Sequence, residues 1–374
     1  MRPYLSVIIP YYNAPEKLER LLRSLAKSNH APPFEIIVVD DGSTVPLEFL
    51  QTSPSRAEVG VSWFSRRQSP HHGSVDTKRG AKAMTALETK HLPARKFHFL
   101  RALTPGVEIR VVRLPHNKGP AIARNRGVAA AKGKFVVFLD GDVEVFADTL
   151  SEIAKVYDDD PDVVALTGVW VKKQKSHDFF PNFKALRDWS YWIHERDKSG
   201  YYFLFSTRIA SIKKAVFERL GGFDETYPAP LVEDIELTYR IARRYAIIFA
   251  PRVRVRHEFE GFWPIAKKYY LRAYYWTKLY ARRKKFDPVA TTFSEAVTAI
   301  SGVGVVVGTL GVFWGLWELW VIWGIILIIH LFLVRKFLVF VFQEKGVVFA
   351  VKSFFMGLIL YCFIFAGAVS GRVF

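Results

Sequence analysis

Two kinds of hydrophobic pattern divide this chain of 374 residues. In its first part, short apolar runs alternate with helical spacings. Leu5–Ile9 reads as a strand, and Pro15–Lys27 as a helix with leucines at 18, 21, 22 and 25. Phe34–Val39 reads as a second strand, Glu108–Val112 as a third, Pro120–Ala131 as a helix and Lys134–Leu139 as the next strand. This rhythm predicts an α/β domain on a mostly parallel sheet with helices on both faces. Further on, Arg252–Arg256 is strand-like, and Glu233-Asp234 begins the helical pattern Ile235–Arg244.

Residues 45–105 break the rhythm. They hold Ser65-Arg66-Arg67-Gln68 and Lys78-Arg79-Gly80-Ala81-Lys82, and read as a basic insertion. The adjacent His71 and His72 have no cysteine or carboxylate at ligand spacing, so they are not read as a metal site.

The tail follows a different pattern. Ala296–Trp317 is 22 residues without a charge, about 33 Å as a helix, enough to cross a hydrocarbon core of about 30 Å. Leu319–Val334 adds 16 uncharged residues, a short span unless Arg335 and Lys336 reach back to the interface. Val347–Gly371 is interrupted only by Lys352, and Phe337–Phe342 either extends the second span or lies at the interface. Three membrane spans are expected. The segment 261–290 mixes Trp263, Tyr269, Tyr274 and Trp276 with Lys267, Lys268, Arg272 and Lys278, which suits a helix in the headgroup region. The expected organisation is therefore a domain at 1–260, an interfacial helix at 261–290 and a membrane part at 291–374.

Charge sharpens this picture. Phe286–Phe374 carries 5 Lys+Arg against 4 Asp+Glu, which leaves 48 against 31 for the first 285 residues. A field of that sign favours anionic partners, and its closeness to apolar segments favours anionic lipid, with no nucleic acid expected. Arg282–Lys285 before the first span and Arg335-Lys336 after the second belong on the cytoplasmic side. The large N-terminal domain is then expected to be cytoplasmic, at the cell (inner) membrane. The apolar run after Met1 and Arg2 stops at Pro10, too short for a secretory leader. Cys362, the single cysteine, lies in the third apolar run and allows no intrachain disulfide.

The chemistry concentrates at strand ends. Asp140-Gly141-Asp142 follows the run Lys134–Leu139, where open α/β sheets bind ligands. Two hard oxygen donors there suit Mg²⁺ or Mn²⁺ carried in with a diphosphate, although Asp-Gly is also an ordinary turn pair. Asp40-Asp41-Gly42-Ser43 ends another strand and has the same two readings. Asn117-Lys118-Gly119 opens a helix, which offers free backbone N–H groups and a cation to an anion, with Arg124 about one turn later. Glu233-Asp234 in a first helical turn also suits the helix dipole.

Taken in order, Ser6–Asn13, Ile36–Ser43, Asn117-Lys118-Gly119 with Ala123-Arg124-Asn125, Asp140-Gly141-Asp142, Gly221-Gly222-Phe223-Asp224-Glu225 and Glu233-Asp234 resemble family 2 glycosyltransferases. Those are inverting enzymes of the Rossmann-like GT-A fold. The resemblance implies that Pro10, Tyr12, Asp40 and Asp41 form the base site of a nucleotide-sugar donor, with Lys118, Gly119 and Arg124 near its diphosphate. It implies that Asp140 faces ribose or metal, that Asp142 binds the metal, and that Asp234 is the general base, with Glu233 second. Some relatives place a further metal ligand at the position of His257, which could equally be a structural histidine. Arg272 and Trp276 resemble only loosely the Gln-x-x-Arg-Trp element of processive relatives such as cellulose synthase, since the glutamine is absent.

The expected activity is metal-dependent transfer to a hydroxyl of a lipid-linked saccharide or glycolipid, in cell-envelope polysaccharide or glycolipid synthesis. A polyprenyl phosphate acceptor, giving a lipid-monophosphosugar, is the nearest alternative. A transporter or flippase is a more distant one, because no paired ionisable groups mark a pathway through the spans.

Overall fold

A computed structural model describes residues 2–44, 47, 107–195, 202–227, 231–284, 286, 292–316, 318 and 320–373. The basic insertion expected at 45–105, with His71 and His72, lies outside the described residues except for Leu47.

β1 (Leu5–Tyr11) lies between β2 (Phe34–Asp40) and β4 (Phe135–Leu139), parallel to both, and β3 (Glu108–Arg113) pairs parallel to β2. Central parallel strands are covered on both faces, which is why their sequences are almost uninterruptedly apolar. Successive β1 residues point to opposite cores. Leu5, Val7 and Ile9 pack with Leu18, Leu21, Leu22 and Leu25 of α1 (Pro15–Leu25) and with Leu150, Ile153 and Tyr157 of α3 (Thr149–Asp159). Ile8 packs the other way, with Ala121 and Val128 of α2 (Pro120–Ala130) and Leu237 and Ile241 of α6 (Glu233–Ala242). Helices therefore cover both faces, as the pattern predicted.

Beyond β4 the sheet becomes mixed. Its order is β3-β2-β1-β4-β7-β6-β8-β5, with β5 at Val143–Val145, β6 at Ala165–Trp170, β7 at Ile209–Lys213 and β8 at Ile247–His257. β7 runs antiparallel to β4 with Leu139 opposite Ile209, so Arg208 enters beside Asp140. β5 runs antiparallel to β8 with Val143 opposite His257, so Asp142 ends beside that histidine. This pairing gathers the ends of distant segments at one edge of the sheet. α4 (Phe179–Trp189), a π-helical turn at Ser190–His194 and α5 (Lys214–Arg219) complete the domain.

α7 (Phe262–Arg283) follows β8, and three long apolar helices follow it: α8 (Phe293–Phe313), α9 (Trp320–Lys345) and α10 (Val347–Val373). Each is long and apolar enough to cross a membrane. Thr292 and Glu295 form a capping box that starts α8 a few residues before the uncharged run. Phe337–Phe342 continues α9 without a break.

α7 does not stand apart in the manner of a free interfacial helix. Gly367 and Gly371 of α10 bring that backbone so close that an added Cβ would meet the carbonyl oxygens of Tyr270 and Tyr274 at 2.1 and 2.4 Å. Tyr270 also bonds Ser370 at 2.9 Å. On the other side, Trp189 of α4 stacks on Phe340 of α9 at 5.6 Å between ring centres.

Candidate active site

A cleft of about 540 Å³ opens along the gathered strand ends. Pro10, Tyr12, Asp41, Asn117 and Gly119 form one end; Asp140, Asp142 and His257 lie in its middle wall; α4 and α7 close the other end with Lys184, Asp188, Tyr269 and Arg272.

The first end differs in detail from what the motifs imply. Asp40 is fully buried and is not among the lining residues; its Oδ1 accepts from the Ser43 N–H at 3.0 Å. Asp41 does line the cleft, and it caps the helix start, accepting from the N–H groups of Lys118 and Gly119 at 2.8 and 2.9 Å. Those two N–H groups, expected to face a diphosphate, thus already have an anion. The Lys118 side chain is exposed and lies outside the lining. Gly42, at φ 71°, permits this arrangement, because a Cβ there would sit 2.3 Å from the His116 backbone. Tyr12, 48% exposed, offers an open ring beside Pro10.

Arg124 takes a role that the sequence did not predict. It is 2% exposed, donating through Nη2 to Asp140 at 2.7 Å and through Nη1 to Glu233 at 2.8 Å. Instead of a free cation for a diphosphate, it is a clamp between two acidic motifs. The next residue, Asn125, donates to the Phe223 carbonyl at 2.9 Å and to Glu225 at 3.0 Å, which ties in the Gly-Gly-Phe-Asp-Glu segment. Through these two residues α2 ties Asp140, Glu233 and the Gly-Gly-Phe-Asp-Glu segment together.

Asp142 keeps an oxygen available. Its Oδ1 is buried without a hydrogen bond and faces His257 Nε2 at 3.5 Å, while Lys17 stands 3.8 Å from Oδ2. Burial, with Arg208 adding to it, pushes His257 down to about 3, so the ring is neutral and can act as a ligand. A carboxylate oxygen facing a neutral imidazole suits a divalent cation whose remaining positions come from phosphate or water. Among the described residues no cluster of three or more such ligands forms, and Asp140 is turned toward Arg124.

Glu233 and Asp234 lie behind Arg124 and outside the cleft lining. Glu233 is buried in its ion pair with Arg124. Asp234 is half-buried; burial, with Glu233 beside it, pushes its carboxyl up to about 7, and Arg272 and Arg124 oppose that rise. A carboxyl titrating near neutrality is suited to take a proton.

The far end was missed from the sequence. Lys184 is 2% exposed and bonds Asp188, which also stands 3.5 Å from Arg208. Burial raises Asp188, but Lys184 and Arg208 outweigh it and hold the carboxyl below its usual range. Arg208 lies over Trp170 at 4.4 Å. A lysine and an aspartate four residues apart inside the aromatic run Phe179–Trp189 were the available signal.

A family description, Glycosyl transferase family 2, matches residues 6–50 and 99–220. Over 245 residues, 64% of this chain, the sequence is 26% identical to validoxylamine A glucosyltransferase of Streptomyces hygroscopicus subsp. limoneus. The match spans 48% of that relative, about half its length. In fold, the chain is similar to the mannosyltransferase PcManGT of Pyrobaculum calidifontis, solved in complex with GDP-Man and Mn²⁺. That likeness has a TM-score of 0.55 and 16% identity, covering 100% of this chain and 88% of the other. The chain is thus similar to family 2 glycosyltransferases over those two stretches and has a GT-A-like domain, followed by three helices long and apolar enough to cross a membrane.

Proposed function

We propose that this enzyme transfers a sugar, with inversion, from a nucleotide-sugar donor to a hydroxyl of a lipid-linked saccharide or glycolipid at a membrane surface. One observation carries the reading: the cleft is walled on one side by the strand ends and on the other by α7, the helix seated on α10. A donor bound at the strand ends therefore meets an acceptor arriving from the membrane side. The cationic clusters favour a cytoplasmic catalytic domain, where nucleotide sugars are made.

Tyr12 and Pro10 receive the base, while Asp41 keeps lone pairs for it beyond the two backbone N–H groups that it caps. Asp142 and His257 would hold Mg²⁺ or Mn²⁺, which supplies Lewis-acid stabilisation of the leaving diphosphate. Arg124 fixes Asp140 and Glu233 in one geometry. Asp234 takes the proton from the acceptor hydroxyl; an inverting displacement needs one base, on the side opposite the leaving group.

The full chain in nanodiscs, given a panel of nucleotide sugars with Mn²⁺ and lipid extracts, should release nucleoside diphosphate with one donor. Acceptor-dependent release that chelator abolishes is the expected result. No release with any donor and acceptor would refute the reading.

A further inference from the structure

Three basic side chains converge at the membrane end of the cleft from three separate elements: Lys184 of α4, Arg208 at the entry to β7 and Arg272 of α7. Asp188 pairs with Lys184 and stands 3.5 Å from Arg208. Asp234 is the other carboxylate that feels Arg208 and Arg272. Neither leaves the arginines satisfied. Arg272 has no hydrogen bond or ion pair among the described residues, and its buried Nε lacks an acceptor, as does Nη1 of Arg208. Buried guanidinium N–H groups without acceptors are destabilising, so such a cluster makes sense as a site for a ligand that brings acceptor oxygens. Planar, forked N–H groups match phosphate oxygens best.

We propose that Lys184, Arg208 and Arg272 form an anion site that receives the phosphate of a lipid-linked acceptor. Place decides the source of that phosphate. The cluster lies on the β4–β7 side of the cleft, with Arg208 beside Asp140, and away from β2, whose end carries Asp41. Two of its three elements contact the apolar helices: Phe183 and Trp189 of α4 pack on Phe337 and Phe340 of α9, and α7 packs on α10. A lipid phosphate lies at that boundary. The inference rests on transfer to a lipid acceptor and narrows that acceptor to one bearing phosphate.

The test uses the full chain in nanodiscs, with polyprenyl phosphate and uncharged polyprenol as lipid probes and UDP and GDP with Mn²⁺ as nucleotide probes. The wild type should bind polyprenyl phosphate and not polyprenol. Arg272→Gln should weaken that binding about tenfold or more and leave nucleotide affinity within about twofold, with Arg272→Lys in between. Equal binding of polyprenol and polyprenyl phosphate by the wild type overturns the proposal, whatever the variants do. So does an Arg272→Gln protein that loses the nucleotide and keeps the lipid phosphate, because the site would then serve the donor. Sugar transfer to a neutral glycolipid without phosphate defeats this inference alone. Absence of nucleoside diphosphate release with every acceptor defeats the transferase reading instead, and the lipid-binding arm still decides the anion site.

Discussion

The two ends of the cleft are built on different principles. At the nucleotide end polar groups from separate motifs bond one another, although Asp40 Oδ2 stays buried without a hydrogen bond. Asp41 caps the backbone of Lys118 and Gly119, Asp40 closes its own turn on Ser43, and the Asn13 N–H donates to Ser43 Oγ. At the membrane end, side chains from α4, α7 and the entry to β7 converge, and Arg208 and Arg272 each leave a buried polar atom without a hydrogen bond, as Asp142 does in the middle wall. The first end is tied together mainly by its own hydrogen bonds. The second holds charges in a geometry that only a ligand completes, and so it should respond most to the ions and substrates supplied.

The sharpest way to break this comparison is Asp142→Asn. Removing the charge that faces His257 should lower transfer by about 10²–10³-fold or more and abolish stimulation by Mn²⁺, since charge on the leaving diphosphate loses its counter-ion. Near-normal transfer in the presence of chelator would exclude a metal role at this residue.

Asp234→Asn comes next. It keeps the shape and removes the proton acceptor, so transfer should fall by about 10²–10⁴-fold while donor affinity survives. Glu233→Gln acts differently. It leaves Arg124 buried with only Asp140, and breaking such a pair costs ~3–5 kcal/mol, read as a lower melting temperature before any loss of rate. A variant at Asp234 with full single-turnover transfer would remove this group from the mechanism.

A pH profile should locate the same group without substitution. The carboxyl of Asp234 is pushed up to about 7, and only its deprotonated form accepts a proton. The acceptor-dependent rate should therefore rise with pH through about 7 and level off above it, and this limb should vanish in Asp234→Asn. An identical limb in the variant would assign the titration to another residue.

The smallest effect is expected at the nucleotide end. Lys118 is exposed and reaches the site only through its backbone N–H, so Lys118→Ala should change nucleotide affinity by no more than about twofold. A loss of tenfold or more, measured by calorimetry, would show that the side chain folds over the bound donor, and the contrast between the two ends would weaken.

Much of the architecture was legible beforehand, for a local reason. Apolar alternation in Leu5–Ile9, the four leucines of α1 and the long uncharged runs of α8 and α10 report how each element is buried, and burial is written in the element's own residues. The strand-end position of Asp140-Gly141-Asp142 followed in the same way. Less legible were the partners. Arg124 has the sequence of a solvent-side helix cation, yet α2 turns it inward between Asp140 and Glu233. The backbone N–H groups of Lys118 and Gly119 looked free for a diphosphate because the sequence does not show that Asp41 has already taken them.

By itself, then, the sequence determined the alternating α/β rhythm, the order of the acidic motifs and the three helices long enough to span a membrane. Each of these depends on periodicity or on neighbours within about a dozen residues. Tertiary structure alone decided that β7 would run antiparallel to β4 and bring Arg208 beside Asp140, that β5 would pair with β8 and set His257 against Asp142, and that Lys184 and Arg272 would meet across the cleft. The physical reason is that hydrophobic pattern encodes which side of an element is buried, whereas the charges that face each other depend on strand order and direction. Those are set by how the whole sheet closes its cores, and no single segment carries that information.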